Sequence, residues 1–468
     1  MVFNSFSFAV FFAVVFALYR LVPGWSAKKL VLLLASYLFY GAWNPPIASL
    51  LAISTAVDWA VSIRMHRAAS PTHRRRWLVL SLVSNLGMLG VFKYANFFLD
   101  NLVGGLAAVG ISYAPAAWSI VLPVGISFYT FQTLSYTIDV YRGEIDPTEY
   151  TLLDFGLFVA FFPQLVAGPI VRADAFLPQL KRMPPLSSRA FLWGLVLLTL
   201  GIFEKSVLAD TLLANTVDLV YGGGPVSVAD SWAGTLAFSG QIFYDFAGYS
   251  TCAIGVAMCF GYSFMDNFWF PYGAVGFSDF WRRWHISLSS WLRDYLYVSL
   301  GGNRGGRGRT MVNLLVTMLL GGLWHGASWN FVLWGALHGI FLVGERLLRG
   351  ERSSGLAFHP VAWFATQLAV LVTWVPFRAA DFDTSVRILT AMAGFSSAAE
   401  STTSVPNRVL VFTTVGLTYA WHVCFRTRRI EDMARSLPSP VVAMLVALAW
   451  LAVWLAQPDD RAFIYFQF

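Results

Sequence analysis

Charge is scarce in this chain. Asp, Glu, Lys and Arg make up 12% of its 468 residues, about half the ~25% of an average soluble domain. Cysteine is scarcer still. Cys252, Cys259 and Cys424 form no CxxC pair, and an odd count suits neither a disulfide framework nor a zinc cluster. Cys252 and Cys259 stand seven apart, on one face if helical, and read as apolar packing residues. No HExxH occurs and no carboxylate stands at ligand spacing from a prominent histidine, so no metal is expected. No Gly-Lys-Ser/Thr closes a phosphate loop, and no Gly-x-Ser-x-Gly elbow marks a serine nucleophile. Internal repeats, low-complexity tails and a separate soluble domain are also missing.

Apolar surface is what the chain has in excess, at 57% of residues, with 19 Trp and 18 Tyr to populate two membrane interfaces. A soluble chain of this length splits into several cores; here the bilayer takes the place of the core. The net charge of +7 lies mostly in short segments between apolar runs. That is the positive-inside pattern and no sign of nucleic acid. The opening Met-Val-Phe-Asn-Ser-Phe has neither a positive charge nor a small-residue cleavage pattern, so a retained first span is expected rather than a signal peptide.

Apolar runs cover 2–19, 30–43, 46–63, 77–99, 118–138, 151–168, 190–207, 232–262, 311–343, 360–377, 408–425 and 438–456. They predict a single all-α polytopic membrane domain over 1–468. Several fall short of the ~20 residues of a perpendicular span, so some are expected to be tilted, re-entrant or buried. The loop Arg64–Arg76 carries five arginines and is assigned to the cytoplasm, with Arg20, Lys28 and Lys29. Segments 281–309, 345–352 and 426–435 are basic and also read as inside. The segment 208–231, with Asp210, Asp218 and Asp230 and no Lys or Arg, reads as an outside loop, as does 378–407. Both termini are then outside. Three runs separate Arg76 from the basic segment 172–189, which breaks the alternation. The run started by Leu122-Pro123-Val124-Gly125 is the candidate for a re-entrant segment.

Few polar groups sit at membrane depth, and such groups are candidates for function. His325 leads them, in Gly-Gly-Leu-Trp-His-Gly-Ala-Ser-Trp-Asn over 321–330. The glycines should weaken the helix around it, and irregular backbone at that depth is tolerated only when buried in protein or lining a cavity. The competing structural reading is a histidine that bridges helices. His285 lies in an aromatic, basic and hydroxyl-rich stretch, Trp281–Leu296, followed by a Gly/Arg segment over 301–309. Arg282, Arg283, Arg304 and Arg307 could grip the phosphates of a nucleotide-bearing donor; an interfacial helix followed by a solvated basic loop explains them equally. Asp245 is the clearest carboxylate inside an apolar run, and either orients a histidine or donor, or lies protonated or paired with an arginine for stability. His66 and His73 read as solvated, His359 and His422 as interfacial, His338 as structural, and Lys93 and Glu204-Lys205 as span-end residues.

Trp281–Leu296 with its Gly-Gly-Asn-Arg, and Gly322–Gly339 with its Leu-Trp-His-Gly-Ala-Ser-Trp-Asn, resemble the two signature stretches of the membrane-bound O-acyltransferase family. The resemblance is strongest to its bacterial branch of alginate O-acetyltransferase membrane subunits. Asn85–Phe98, Leu122–Arg142, Phe161–Arg172, Asp245–Ser250, Asn267–Tyr272 and the terminal Phe-Ile-Tyr-Phe extend it over nearly the whole chain. Two positions depart: Thr251 and Ser299 stand where the branch often has Asp and Pro.

The resemblance implies a helical bundle with short intramembrane segments and a central funnel. It implies catalysis at His325, with His285 as the second family histidine and Asp245, Asn330 and Trp324 in support. It further implies a cytoplasmic acyl thioester donor, acetyl-CoA, with no tightly bound cofactor. An exported polysaccharide would be the acceptor, with an SGNH-type acetyltransferase partner outside and residence in the inner membrane. A D-alanyl transferase of the same family, acting on teichoic acid, and a non-enzymatic polysaccharide-export channel are the alternatives.

Overall fold

Prolines open four of the helices, at Pro45, Pro71, Pro360 and Pro406, positions where a missing N–H costs no hydrogen bond. Ser5, Thr151 and Asp381 cap others by accepting a backbone N–H, and Ser404 caps the helix that Pro406 opens. The protein is represented by a computed structural model, which describes residues 2–115, 122–350, 358–396, 400–428, 432–433, 436–456, 461 and 463–464. Every regular element among them is helical. Eight helices, some continuous through a wide turn, are long and apolar enough to cross a membrane. Two compact units divide the chain: Met1–Leu195 with Ala253–Met265, and Val196–Cys252 with Asp266–Phe468.

The first unit holds α1 (Phe6–Leu21), α2 (Trp25–Gly41), α3 (Pro45–Arg67), α4 (Pro71–Leu89), α5 (Ala95–Ala108), α6 (Ile126–Arg142), α7 (Leu152–Ala160), α8 (Phe162–Leu165) and α9 (Ala173–Leu180). A π turn over Gly90–Tyr94 joins α4 to α5, carrying the predicted run 77–99 on to residue 108. Lys93 therefore sits inside a long helix rather than at a span end. Phe11 meets Phe162 edge-on at 5.2 Å, and Tyr19 meets Phe260 at 5.3 Å, filling the core with rings. Asp58 of α3 accepts from Ser81 (2.6 Å) and Asn85 (2.9 Å) of α4, and Thr133 of α6 donates to Asn85 (3.0 Å). This buried network joins three helices where apolar packing alone discriminates little.

The structure replaces the two runs 118–138 and 151–168 by one buried helix, α6, and two short buried ones, α7 and α8. Residues 116–121 lie outside the described set. The C-terminal end of α6 lies on the Arg64–Arg76 loop: Arg74 donates to the Tyr141 carbonyl (2.9 Å), and His66 pairs with Asp146 (3.7 Å). Lys181 in turn pairs with Glu149 at 2.5 Å. The basic segment 172–189 is thereby tied to the end of α6 and to that loop, as one crossing by α6, a helix outside the eight apolar spanning candidates, would require.

The chain boundaries of the units fall within α10 (Ser188–Phe203) and α12 (Val228–Cys259); α11 (Ala214–Tyr221) follows α10 through a π segment over Glu204–Leu213. The second unit continues with α13 (Phe277–Trp281), α14 (Ile286–Trp291), α15 (Gly306–His325), α16 (Trp329–Arg349), α17 (Pro360–Arg378), α18 (Phe382–Met392), α19 (Val405–Phe425) and α20 (Ser439–Ala456). The expected outside loop 208–231 is helical as far as Tyr221, because Asp210 is neutralised at 2.9 Å by Lys205 inside the fold. Gly321 and Gly322 do not break α15. A β-carbon at Gly322 would fall on the Phe331 carbonyl oxygen, and one at Gly335 on the Met318 carbonyl oxygen. The glycines serve close approach of the α15–α16 hairpin, as small residues do in membrane helix pairs.

Candidate active site

His325 is the last residue of α15, turned inward by the Gly326–Ser328 break before α16. It is 3% exposed. Four aromatic rings surround it: Trp324 at 5.1 Å, Trp334 at 5.0 Å, Phe377 at 5.1 Å and Phe331 at 6.4 Å. Gly326 admits this packing, since a β-carbon there would strike the Phe331 ring. Such an enclosure excludes bulk water and leaves the imidazole as the polar group among rings.

His285 also meets Trp324, at 5.8 Å, and meets Phe246 of α12 edge-on at 4.6 Å. Its backbone is left-handed (φ 42°), as is that of Phe270 (φ 46°), the two non-glycine residues with positive φ among those described. A strained φ costs on the order of 1–3 kcal/mol and persists only where the surroundings over-determine it. Here the segments around 267–269 and 283–286 pair by backbone: Trp269 N–H to Arg283 O and Ile286 N–H to Asn267 O, each 2.9 Å. The Asn267 side chain completes the fixing. Its Oδ1 accepts from Ser287 N–H (3.2 Å) and Ser287 Oγ (2.8 Å), while its Nδ2 donates to Ser250 Oγ (3.0 Å). A backbone N–H can only donate, so the atom facing it is the amide oxygen. The same oxygen lies 3.2 Å from His285 Nδ1. Nδ1 of a neutral His285 is therefore the protonated nitrogen, and Nε2 carries the lone pair.

His338, read as structural from sequence, joins the same row of rings at 4.6 Å from Trp334, with Nε2 at 3.0 Å from Thr373 Oγ1. His422 is buried rather than interfacial: its Nδ1 accepts from Tyr272 N–H at 3.2 Å. His359 caps α17 at an exposed span end. Asn330 donates to Ala379 O at 3.0 Å, holding the end of α17 two residues beyond Phe377.

Asp245 pairs with Lys205 at 2.5 Å and accepts from Ile464 N–H at 2.7 Å. It anchors the chain's C-terminal segment, and Phe463 packs on Phe246, the ring that meets His285. Glu204 and Lys205, expected at a span end, open the π segment in the middle of the continuous helix Ser188–Tyr221. Of the four candidate arginines, Arg283 is committed: it pairs with Asp279 (2.9 Å), donates to Arg426 O (2.8 Å) and lies over Trp269. Arg282 bonds to Ser278, and Arg304 on the glycine-rich loop and Arg307 in the first turn of α15 are exposed. Asn267, Ser287 and Ser250 fall in stretches that carry the resemblance, but nothing in the sequence showed that they act together, because their partners are 17 to 20 residues apart. No group of three metal-ligating side chains occurs among the described residues.

The sequence model of MBOAT, the membrane-bound O-acyltransferase family, matches residues 143–359, a range containing both histidines. The chain is 43% identical over 397 residues to a probable alginate O-acetylase, AlgI, of Azotobacter vinelandii, covering 84% of this chain and 78% of that one. A peptidoglycan O-acetyltransferase of Helicobacter pylori is 36% identical over 396 residues, covering 79% and 74%. A teichoic acid D-alanyltransferase of Streptococcus thermophilus is 29% identical over 344 residues, covering 66% and 82%.

Proposed function

This chain belongs to the membrane-bound O-acyltransferase family, and on that premise we propose that it transfers acetyl from a cytoplasmic thioester, acetyl-CoA, for O-acetylation of an exported polysaccharide. The observation that carries the reading is the water-excluding ring enclosure of His325, with a tautomer-fixed His285 against the same Trp324, in a chain this similar to O-acetylases of two kinds of polymer. Family membership makes it an O-acyltransferase and sets the export-channel alternative aside. It is a multi-pass membrane protein; residence in the inner membrane, with both termini outside, is part of the proposal.

In the proposed step His325 is the general base. The acceptor hydroxyl oxygen attacks the acetyl carbonyl carbon while the imidazole takes the hydroxyl proton; the C–S bond breaks, and the departing thiolate takes the proton back from the imidazolium. The ester, the thiol and the neutral histidine result. Proton transfer of this kind is worth ~10²–10⁴-fold in rate. His285, held by Asn267, orients the donor carbonyl or the acceptor. Arg304 and Arg307 are the arginines left to meet donor phosphates. Arg307 precedes His325 by a helical run of about 27 Å at 1.5 Å per residue, so a donor gripped there must present its thioester on a long flexible arm, as a pantetheine does. A partner of SGNH type that completes transfer to the polymer is part of the same proposal.

The test is polymer-bound acetate in cells carrying His325→Ala, with membrane levels of the protein matched to wild type. Acetate should fall to the level of a deletion strain; normal acetate at normal expression refutes the base assignment. The D-alanyl alternative predicts that the ester released by mild alkali is D-alanine instead.

A further inference from the structure

The hairpin of α3 and α4 in the first unit encloses an open cleft of about 640 Å³ lined by Arg64, Arg67, His73, Arg76, Trp77 and Leu80. No carboxylate lines it. Among the described residues Arg64, Arg67 and Arg76 make neither an ion pair nor a hydrogen bond; Arg64 rests on the Trp77 ring at 5.5 Å. Neighbouring Arg74 differs, being spent on the Tyr141 carbonyl at 2.9 Å. Converged guanidiniums repel one another unless an anion sits among them, and phosphate oxygens satisfy several of their donors at once. One wall is apolar, Trp77 and Leu80, and it continues along α4 into the exposed Val79, Val83 and Leu86. Both helices of the hairpin are membrane-crossing candidates, so the cleft lies where they leave the bilayer. A cationic floor with an apolar wall at interface depth fits a phosphate that carries a hydrocarbon tail.

We propose that this cleft is a binding site for the headgroup phosphate of an anionic phospholipid, with Arg64, Arg67 and Arg76 on the phosphate and Trp77 and Leu80 against the glycerol and first methylenes. The site is separate from the residues assigned to acyl transfer and does not depend on that assignment. The lipid acts as a wedge between the ends of α3 and α4, neutralising a charge cluster that the protein leaves uncompensated.

The full-length protein, purified in mild detergent, is offered phosphatidylglycerol or phosphatidylcholine and examined by native mass spectrometry. Wild type should retain phosphatidylglycerol preferentially. Replacing Arg64, Arg67 and Arg76 by Gln should weaken retention about fivefold per arginine removed. Arg75→Gln, in the same loop but outside the cleft, should leave it unchanged. If the triple variant does not purify, the single Arg64→Gln and Arg76→Gln variants are compared with Arg75→Gln in the same way. Equal retention of the two lipids overturns the proposal, as does an equal loss with Arg75→Gln, which means diffuse charge attraction. Coenzyme A is the soluble phosphate probe: if it binds the lipid-free protein through these arginines and displaces phosphatidylglycerol, the cleft is a donor site and the lipid proposal fails.

Discussion

Asn267 offers one carbonyl oxygen to three groups, and the backbone N–H of Ser287 decides what the other two must be. If its role is to hold the His285 ring in one tautomer, Asn267→Ala should lower acetyl transfer at normal expression. The loss should vanish in a His285→Ala background, where there is no ring left to position. A double-mutant cycle on polymer acetate reads this as a coupling on the order of 1–3 kcal/mol; additive losses would leave Asn267 with a packing role only. His285→Ala itself should cost less than His325→Ala if His325 takes the proton. His325 was legible in the sequence because a lone imidazole among apolar residues is costly and therefore conspicuous. Asn267 was not, because its three contacts exist only once a left-handed turn at residue 285 folds the chain back on itself. Asp245 was conspicuous for the same reason as His325, yet its partners are Lys205 and the Ile464 amide, neither of them predictable from spacing.

At the scale of elements, the α15–α16 hairpin fixes where His325 stands, and it does so through backbone contact at glycine. Gly335→Val should abolish monodisperse protein on size-exclusion chromatography, since a side chain there strikes the Met318 carbonyl and overpacking of this kind costs several kcal/mol. Gly344→Ala, on the same helix with open space around it, should express normally. The next element in the chain of support is α18. Asp381 caps it, accepting from Thr384 N–H at 2.7 Å, and Asn330 grips the Ala379 carbonyl just before the cap. Backbone and side-chain hydrogen bonds from Thr384 hold the Asp381 carboxyl below its ordinary range. A carboxylate with a lowered folded pKa contributes stability above its unfolded value of ~3.9 that is lost as pH falls through the folded value. Amide exchange of α18 in detergent-solubilised protein should therefore speed up on acidification below about pH 4. Asp381→Asn should keep the cap and lose that acid sensitivity; an unchanged profile in the variant would mean the cap is not the titrating group. Caps and hairpin breaks of this kind can be read from sequence. The helical course of 208–221 could not, because it depends on Lys205 reaching two buried carboxylates across a widened turn.

For the whole molecule, the sidedness of the membrane decides which face meets the donor. Charge alone left the region between Arg76 and the segment 172–189 one crossing out of step. Both 118–138 and 151–168 read as apolar runs, whereas one folds as the 17-residue α6 and the other as the 9-residue α7 and 4-residue α8. At 1.5 Å per residue α6 extends about 25 Å, close to the ~30 Å of a hydrocarbon core, and the short pair does not approach that length. A locally thinned bilayer accommodates one such crossing. The Lys181–Glu149 and His66–Asp146 pairs then tie the far end to the Arg64–Arg76 side. Cytoplasmic placement of that side makes Arg182 cytoplasmic and Glu400, in the acidic segment after α18, external. Single cysteines test this in a Cys424→Ser background, because Cys424 is exposed while Cys252 and Cys259 are buried. In right-side-out membrane vesicles an impermeant maleimide should label Glu400→Cys at once, and Arg182→Cys only after the vesicles are opened. Labelling of both from one side would remove the single crossing by α6; the reverse pattern would place the basic loops, and the donor with them, outside.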